Sequence, residues 1–171
     1  MIQGDGHLND QTGGYGATPR SERDRRETIN AFSDAIETIS RSLVQVFVRQ
    51  LSSDGITMLQ YHALRAIVTL GPDIDMSAIA TTTGLPASSI TSIVNRLEKL
   101  GLVVRHHDST DRRRVVATTT EDGMALMRLI QARELERLDQ LLASTATGDL
   151  TVCLKVFHDI ENRMSELYHP R

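Results

Sequence analysis

ASSITSIVNRLEKLGLVVRHHDSTDRRRVVATTT, the stretch from Ala87 to Thr120, changes its apolar period partway along. Ile90, Ile93, Val94, Leu97 and Leu100 recur at steps of three and four, which predicts a helix from about Ala87 to Leu100 with Gly101 as its stop. Two β-branched runs follow, Leu102–Arg105 and Arg114–Thr119, separated by the polar tip His106–Arg113; their alternation predicts a hairpin. Just upstream, Asp75–Thr83 reads as a short helix capped by Asp75, with Ile79 and Ala80 inward and Gly84 as terminator. Two helices joined by the tight turn Gly84-Leu85-Pro86 fit a helix-turn-helix, whose second helix can enter the DNA major groove. A hairpin directly after it is the wing.

Helices flank this unit on both sides. Ile29, Phe32, Ile36, Ile39, Leu43, Val46 and Leu51 make a helical stripe from about Glu27, ended by Ser52-Ser53-Asp54-Gly55. A seam of that length usually packs on a partner chain as well as on its own domain. Thr57 caps a second helix with inward positions Met58, Tyr61, Leu64, Ile67 and Val68, closed by Gly71-Pro72. Beyond the hairpin, Thr120 caps a long helix striped by Met124, Met127, Ile130, Leu135, Leu138 and Leu142. Gly148 breaks it, and a last helix runs from about Asp149 to Tyr168 with Cys153, Val156, Phe157, Ile160, Met164 and Leu167 on one side. The opening residues, rich in glycine and polar side chains up to about residue 26, read as a disordered leader.

Composition sets the outer limits. A chain of 171 residues with 40% hydrophobic side chains can bury a core and corresponds to about one domain. A formal charge of -3 excludes holding nucleic acid or membrane by overall basicity. No apolar run is long enough for a membrane span and no signal-peptide core opens the chain, so the expected location is cytoplasmic. One cysteine excludes an internal disulfide, and the absence of Trp argues against base stacking on aromatic rings. Between Arg96 and Arg114, however, six basic residues stand against three acidic ones, a local +3 that leaves -6 to the rest. A basic patch on an acidic protein is the footprint of local contact with nucleic-acid backbone.

With its apolar face inward, the helix from Ala87 presents Ser88, Ser89, Thr91, Ser92, Asn95 and Arg96 outward. Short hydroxyls near a helix N-terminus reach phosphates or base edges, while Asn suits adenine and Arg suits guanine. On the wing, the DNA-binding candidates are Arg105, Asp111, Arg112, Arg113 and Arg114.

These residues resemble a known family. Asp75 to Gly123 is similar to the winged-helix core of the MarR family of bacterial transcriptional regulators, with ITSIVNRLEKLGLV at Ile90–Val103 matching its recognition helix and the start of its wing. Asp111, Arg113 and Thr120 match the family's wing signature, in which an Asp and an Arg two residues later hold the tip. Thr119 stands where the family usually has Leu, Thr110 replaces a common Arg, and Pro86 sits where a Ser cap is usual. These departures weaken wing packing and phosphate contacts in detail. The resemblance covers about residues 27 to 168 and implies a mainly α fold with a small β-hairpin wing, a winged helix-turn-helix embedded in a helical dimerisation domain. The implied divisions are a leader over 1–26 and a MarR-type domain over 27–171. Within that domain, 27–56 and 121–171 form the dimerisation part and 57–120 the DNA-binding part.

The resemblance also implies a homodimer reading palindromic double-stranded DNA, most simply as a repressor. It further implies release by a small aromatic or phenolic ligand near Phe47, Met58, Tyr61, His62 and Arg65, where Arg65 could pair a carboxylate. The plain alternative for those five is helix packing and a surface Arg. No cofactor, metal or membrane partner is expected: His106 and His107, adjacent on a strand, point to opposite faces and chelate poorly. Cys153 reads as a buried structural thiol, with a redox sensor as the alternative. An enzyme lacks support, because no glycine-rich phosphate loop or nucleophile elbow is present. A winged helix that binds protein rather than DNA is the remaining alternative, distinguished by its salt dependence.

Overall fold

In the computed structural model, residues 22–108, 111 and 113–168 are described. Two compact units divide at Ile56 and Thr57.

The first unit is built on one helix, α1 (Glu22–Ser53). It begins inside the stretch expected to be leader. Glu22 and Asp24 favour a helix N-terminus, and Arg23 pairs with Glu27 one turn on, so helix is favoured before the apolar stripe starts. Its end follows the sequence reading. Gly55, at φ 79°, takes the left-handed position, and Ile56 N–H closes back on the Leu51 carbonyl at 3.0 Å. Leu51 and Ile56 are buried, whereas Ile29, Phe32, Ile36, Ile39, Leu43 and Val46 are exposed in the single chain.

The second unit holds α2 (Met58–Leu70), β1 (Ile74–Asp75), α3 (Met76–Thr83), α4 (Ala87–Lys99), β2 (Val103–His107), β3 (Val115–Thr119), α5 (Glu121–Leu142) and α6 (Thr147–Tyr168). Its core is Leu64, Ile67, Ile79, Ile90, Val94, Leu97, Val103 and Val116, all essentially without solvent contact. At roughly 1.5–3 kcal/mol for each large side chain, this cluster is what fixes α2, α3 and α4 against the sheet. On α4 the expected positions Ile90, Ile93, Val94 and Leu97 are buried, but Leu100 is exposed because it lies past the last turn as the C-cap. On α2 the buried set turns toward Gln60, Ala63, Leu64, Ala66 and Ile67. Thr57 Oγ1 accepts from Gln60 N, and Gln60 Oε1 accepts from Thr57 N, a capping box that draws Gln60 inward. Met58, Tyr61 and Val68 are left half-buried.

The sheet has three strands in the order β1-β3-β2, all antiparallel. β1 is an addition to the elements expected from sequence. Two residues carry no alternation, and the strand exists only because Ile74 and Asp75 pair with Ala117 and Val116. The hairpin also runs further than expected: His106 and His107 pair with Val116 and Val115 and belong to β2, not to the tip. α6 starts before Gly148, at Thr147. The apolar stripe of α5 is buried at Ile130 only, and Leu135, Leu138, Leu141 and Leu142 are exposed. Cys153, expected to be buried, is exposed, because the α6 face that carries it is open to solvent in the single chain. Among the described residues, no helix is long and apolar enough to cross a membrane, and no group of His, Cys, Asp or Glu is arranged for a metal ion.

Asp75 both pairs in β1 and caps α3, its carboxylate accepting from Ser77 Oγ at 2.6 Å and from Ala78 N at 2.7 Å. Those bonds, with the Arg114 guanidinium beside them, lower its pKa from 3.8 to about 2. Hydrogen bonds to the ionised form favour it, so the stabilisation is fully present above pH 3.8 and is lost as the pH falls from 3.8 to about 2. Asp75→Asn keeps a capping oxygen and removes the titration. Its unfolding free energy, measured by urea titration at successive pH values, is expected to be flatter than that of the native chain over that acid window. An equally steep acid limb in the variant would mean that Asp75 is not responsible.

Candidate nucleic-acid interface

α4 is a short amphipathic helix whose buried face leaves one polar side open. Ser88, Thr91, Ser92 and Arg96 are exposed, and Ser89 and Asn95 are half-buried. The Asn95 Oδ1 is buried with no hydrogen-bond partner among the described residues. Of the two expected base readers, Arg96 is therefore the one presented freely. Pro86 occupies the N-cap of α4 and supplies no side-chain cap; its carbonyl accepts from Ser89 N at 2.9 Å and from Ile90 N at 3.1 Å, closing the first turn.

The end of α4 is tied to the wing and to α5. Gly101, at φ 73°, lets Leu102 N–H return to Leu97 O at 3.0 Å and Gly101 N–H to Glu98 O at 2.9 Å, which turns the chain straight into β2. Thr120 then joins three elements. Its N–H donates to Leu102 O at 3.1 Å, its hydroxyl donates to Gly101 O at 2.7 Å, and the same oxygen accepts from Gly123 N at 3.1 Å. Gly123 is buried here. A Cβ at that position would stand 2.2 Å from the Leu102 carbonyl oxygen and 2.7 Å from Thr119 Cγ2. Thr119, which replaces the family's usual Leu, leaves its own Oγ1 buried without a partner among the described residues.

The five wing candidates separate by what holds them. Arg105 is half-buried and turned to α4, with Nε 2.9 Å and Nη2 2.8 Å from Glu98 Oε2, and its backbone N–H reaches Glu98 Oε1 at 3.3 Å. This two-pronged pair fixes the angle between the reading helix and the wing strand. Arg114 donates to Asp75 and lies 3.7 Å from Asp108. Arg113 is different: its side chain is 91% exposed, with Nε held 3.2 Å from Asp111 Oδ1. Asp111 also accepts from the Arg113 backbone at 3.0 Å, and these bonds to Arg113 hold its carboxyl below the usual carboxylate range. The expected Asp111–Arg113 pair is present. Arg112 lies outside the described residues.

Sequence reasoning missed Glu98, Asp75 and Asp108 as holders of the wing arginines. It also missed the contact between His106 Nε2 and Asp73 Oδ1 at 2.9 Å, which fastens β2 to the turn before β1. Gly123 had a visible signal, since a glycine inside a helical pattern marks lost stability or a close approach.

Of the ligand candidates, Tyr61 and Arg65 line an open cleft of about 460 Å³ between α2 and α5, together with Met124, Met127 and Arg128. Met58 and His62 are on α2 outside that lining, His62 stacking edge-on to Tyr61 with ring centroids 5.6 Å apart. Phe47 is half-buried on α1, in the other unit.

Comparison with known proteins agrees with this geometry. A sequence model of the MarR family matches residues 54–114. A relative from Thauera aromatica, named for transcriptional regulation of the hcr operon, is 34% identical over 134 residues, covering 77% of this chain and 74% of the relative. The structure of a MarR family protein from Bacillus stearothermophilus superposes with a TM-score of 0.73 at 22% identity, over 82% of this chain and 97% of that one. The structure of FabT from Streptococcus pneumoniae, solved in complex with DNA, gives 0.70 at 17% identity, over 81% of this chain and 99% of that one. By its sequence relatives and its fold, the chain belongs to the MarR family of winged helix-turn-helix transcriptional regulators.

Proposed function

We propose that this regulator acts as a homodimeric repressor that binds a palindromic operator through α4 and the wing. The observation that carries the DNA-reading part is the pairing, in one unit, of an open polar α4 face with the exposed Arg113 at the tip of a braced wing. Helix Ser, Thr and Arg side chains suit base edges and phosphates, and a tip Arg suits the narrow minor groove, where negative potential is concentrated. FabT, a structural neighbour solved with DNA, supports the same use of the fold. Arg105 and Arg114 then serve chiefly as braces, and Arg112 remains a proposed wing contact.

The dimer rests on surface chemistry. α1 exposes Ile29, Phe32, Ile36 and Ile39 along one side, and α6 exposes Val152, Val156, Phe157 and Leu167. Apolar rows of that extent are uncommon on monomers and mark an association surface. Residues 27–56 and 121–171 are accordingly the proposed dimerisation part, and 57–120 the DNA-binding part. The protein works by binding, in the cytoplasm, with no cofactor.

Footprinting on DNA flanking its own gene tests this. Two protected half-sites about one helical turn apart and related by a two-fold axis are expected. A single asymmetric footprint from a monomeric species would contradict the dimer reading.

A ligand is a second reading, favoured by the α2–α5 cleft. Tyr61 and the methionines offer apolar contact, while Arg65 and Arg128 offer charge to a carboxylate. Adding aromatic carboxylates to the footprinting reaction is expected to release the DNA, and Arg65→Ala to blunt that release.

A further inference from the structure

Arg114 is the point where the wing tip, the sheet and α3 meet. Its backbone N–H donates to Asp111 O at 2.9 Å, and its carbonyl accepts from Asp108 N at 3.0 Å, closing the tip. Its guanidinium crosses 39 positions of sequence to donate to Asp75 Oδ2 and also lies 3.7 Å from Asp108 Oδ2. The two carboxylates are sheltered, with side chains 27% and 19% exposed. Asp75 in turn caps α3 and pairs in the sheet.

Charge decides what such an arginine can do. A phosphate approaching Arg114 meets a cation already shared between two carboxylates, whereas one approaching Arg113 meets a side chain held by a single carboxylate at one edge. An already neutralised cation releases few counterions from DNA and contributes little direct affinity. We propose that Arg114 is a positioning residue rather than a DNA contact: through Asp75 and Asp108 it sets the wing tip, and with it Arg113, against the helix-turn-helix. This rests on the reading of Arg113 as the tip contact.

The two roles predict opposite signs for Asp75→Asn. That variant keeps the cap of α3, removes a negative charge and leaves Arg114 with Asp108 as its one remaining carboxylate partner among the described residues. If Arg114 touches DNA, binding to a polyanion must tighten. If Arg114 positions the tip, binding must weaken, on the order of fivefold, because the brace is loosened. Anisotropy titrations of the full chain would use a duplex from the DNA flanking its own gene, well below each variant's unfolding temperature. Weaker binding supports the proposal, and unchanged or tighter binding overturns it.

A cycle with Arg113→Ala separates positioning from general damage. With the tip contact gone, Asp75→Asn is expected to cost less than about twofold, and an equal loss in both backgrounds overturns the proposal. Asp108→Asn carries the same sign test if Asp75→Asn folds poorly. Arg113→Ala with undiminished binding would refute the tip-contact reading itself, while the sign for Asp75→Asn still decides whether Arg114 gives its charge to DNA.

Discussion

Gly123→Ala is expected to lower the unfolding free energy by about 3 kcal/mol. In an exposed helix the same change gains up to about 1 kcal/mol, because glycine loses more freedom on folding. Here the added carbon would lie 2.2 Å from a backbone oxygen, Leu102 O, which cannot swing aside as a side chain does. Relief requires α5 to move off the α4–β2 turn, and that motion breaks the Thr120 bonds to Gly101 and Leu102. The first turn of α5 is thereby packed directly on the junction that aims the wing, so the variant should lose DNA affinity along with stability. Gly148 is the control: it too is helical, a Cβ added there would meet nothing within 4 Å, and Gly148→Ala is expected to be neutral or slightly stabilising. Urea midpoints compare the two. Equal midpoints would remove the close approach from the account.

Arg113→Ala and Arg96→Ala are expected to damage DNA binding in different ways. Arg113 stands at the wing tip, 91% exposed, and in the proposed complex it meets DNA through charge. Its loss should weaken operator and random duplexes alike, on the order of tenfold, and lower the salt slope by about one. Arg96 is exposed on α4, where a base edge is within the reach of a reading helix. Its loss should cost about 1–3 kcal/mol on the operator and much less on random DNA, narrowing the preference. Asn95→Ala should relax preference in the same sense but less, since its amide is half-buried. Affinities for both duplexes measure the division directly. Equal losses for both arginine variants on both duplexes would contradict it.

The helix-turn-helix is legible because its punctuation is local. Thr57, Asp75 and Thr120 cap the helices they precede, and Gly71, Gly84 and Gly101 end the ones they follow. Each acts on residues within one turn, so sequence order alone reveals it. The Asp111–Arg113 pair is local as well, two positions apart. What escapes a sequence reading depends on distant partners. β1 needs β3, Arg114 needs Asp75, and the orientation of Arg105 needs Glu98. No periodicity reports those encounters. The apolar stripes of α1, α5 and α6 are visible as stripes, yet periodicity does not tell whether a face is covered by its own chain. That is why the pattern points to a buried Cys153 while the thiol is exposed.

Overall charge misleads in one respect and helps in another. The chain carries -3, yet its basic residues gather where α4 meets the wing. Within that patch the structure divides the cations, holding Arg105 and Arg114 on internal carboxylates and leaving Arg96 and Arg113 outward.

The salt dependence of binding to DNA flanking its own gene tests the central claim most directly. Operator affinity should fall by about a thousandfold or more between roughly 50 and 200 mM salt, with a shallower slope for Arg113→Ala. Affinity that stays flat over that range, or an absence of binding to any such DNA, would contradict the assignment of α4 and the wing as a DNA-reading surface.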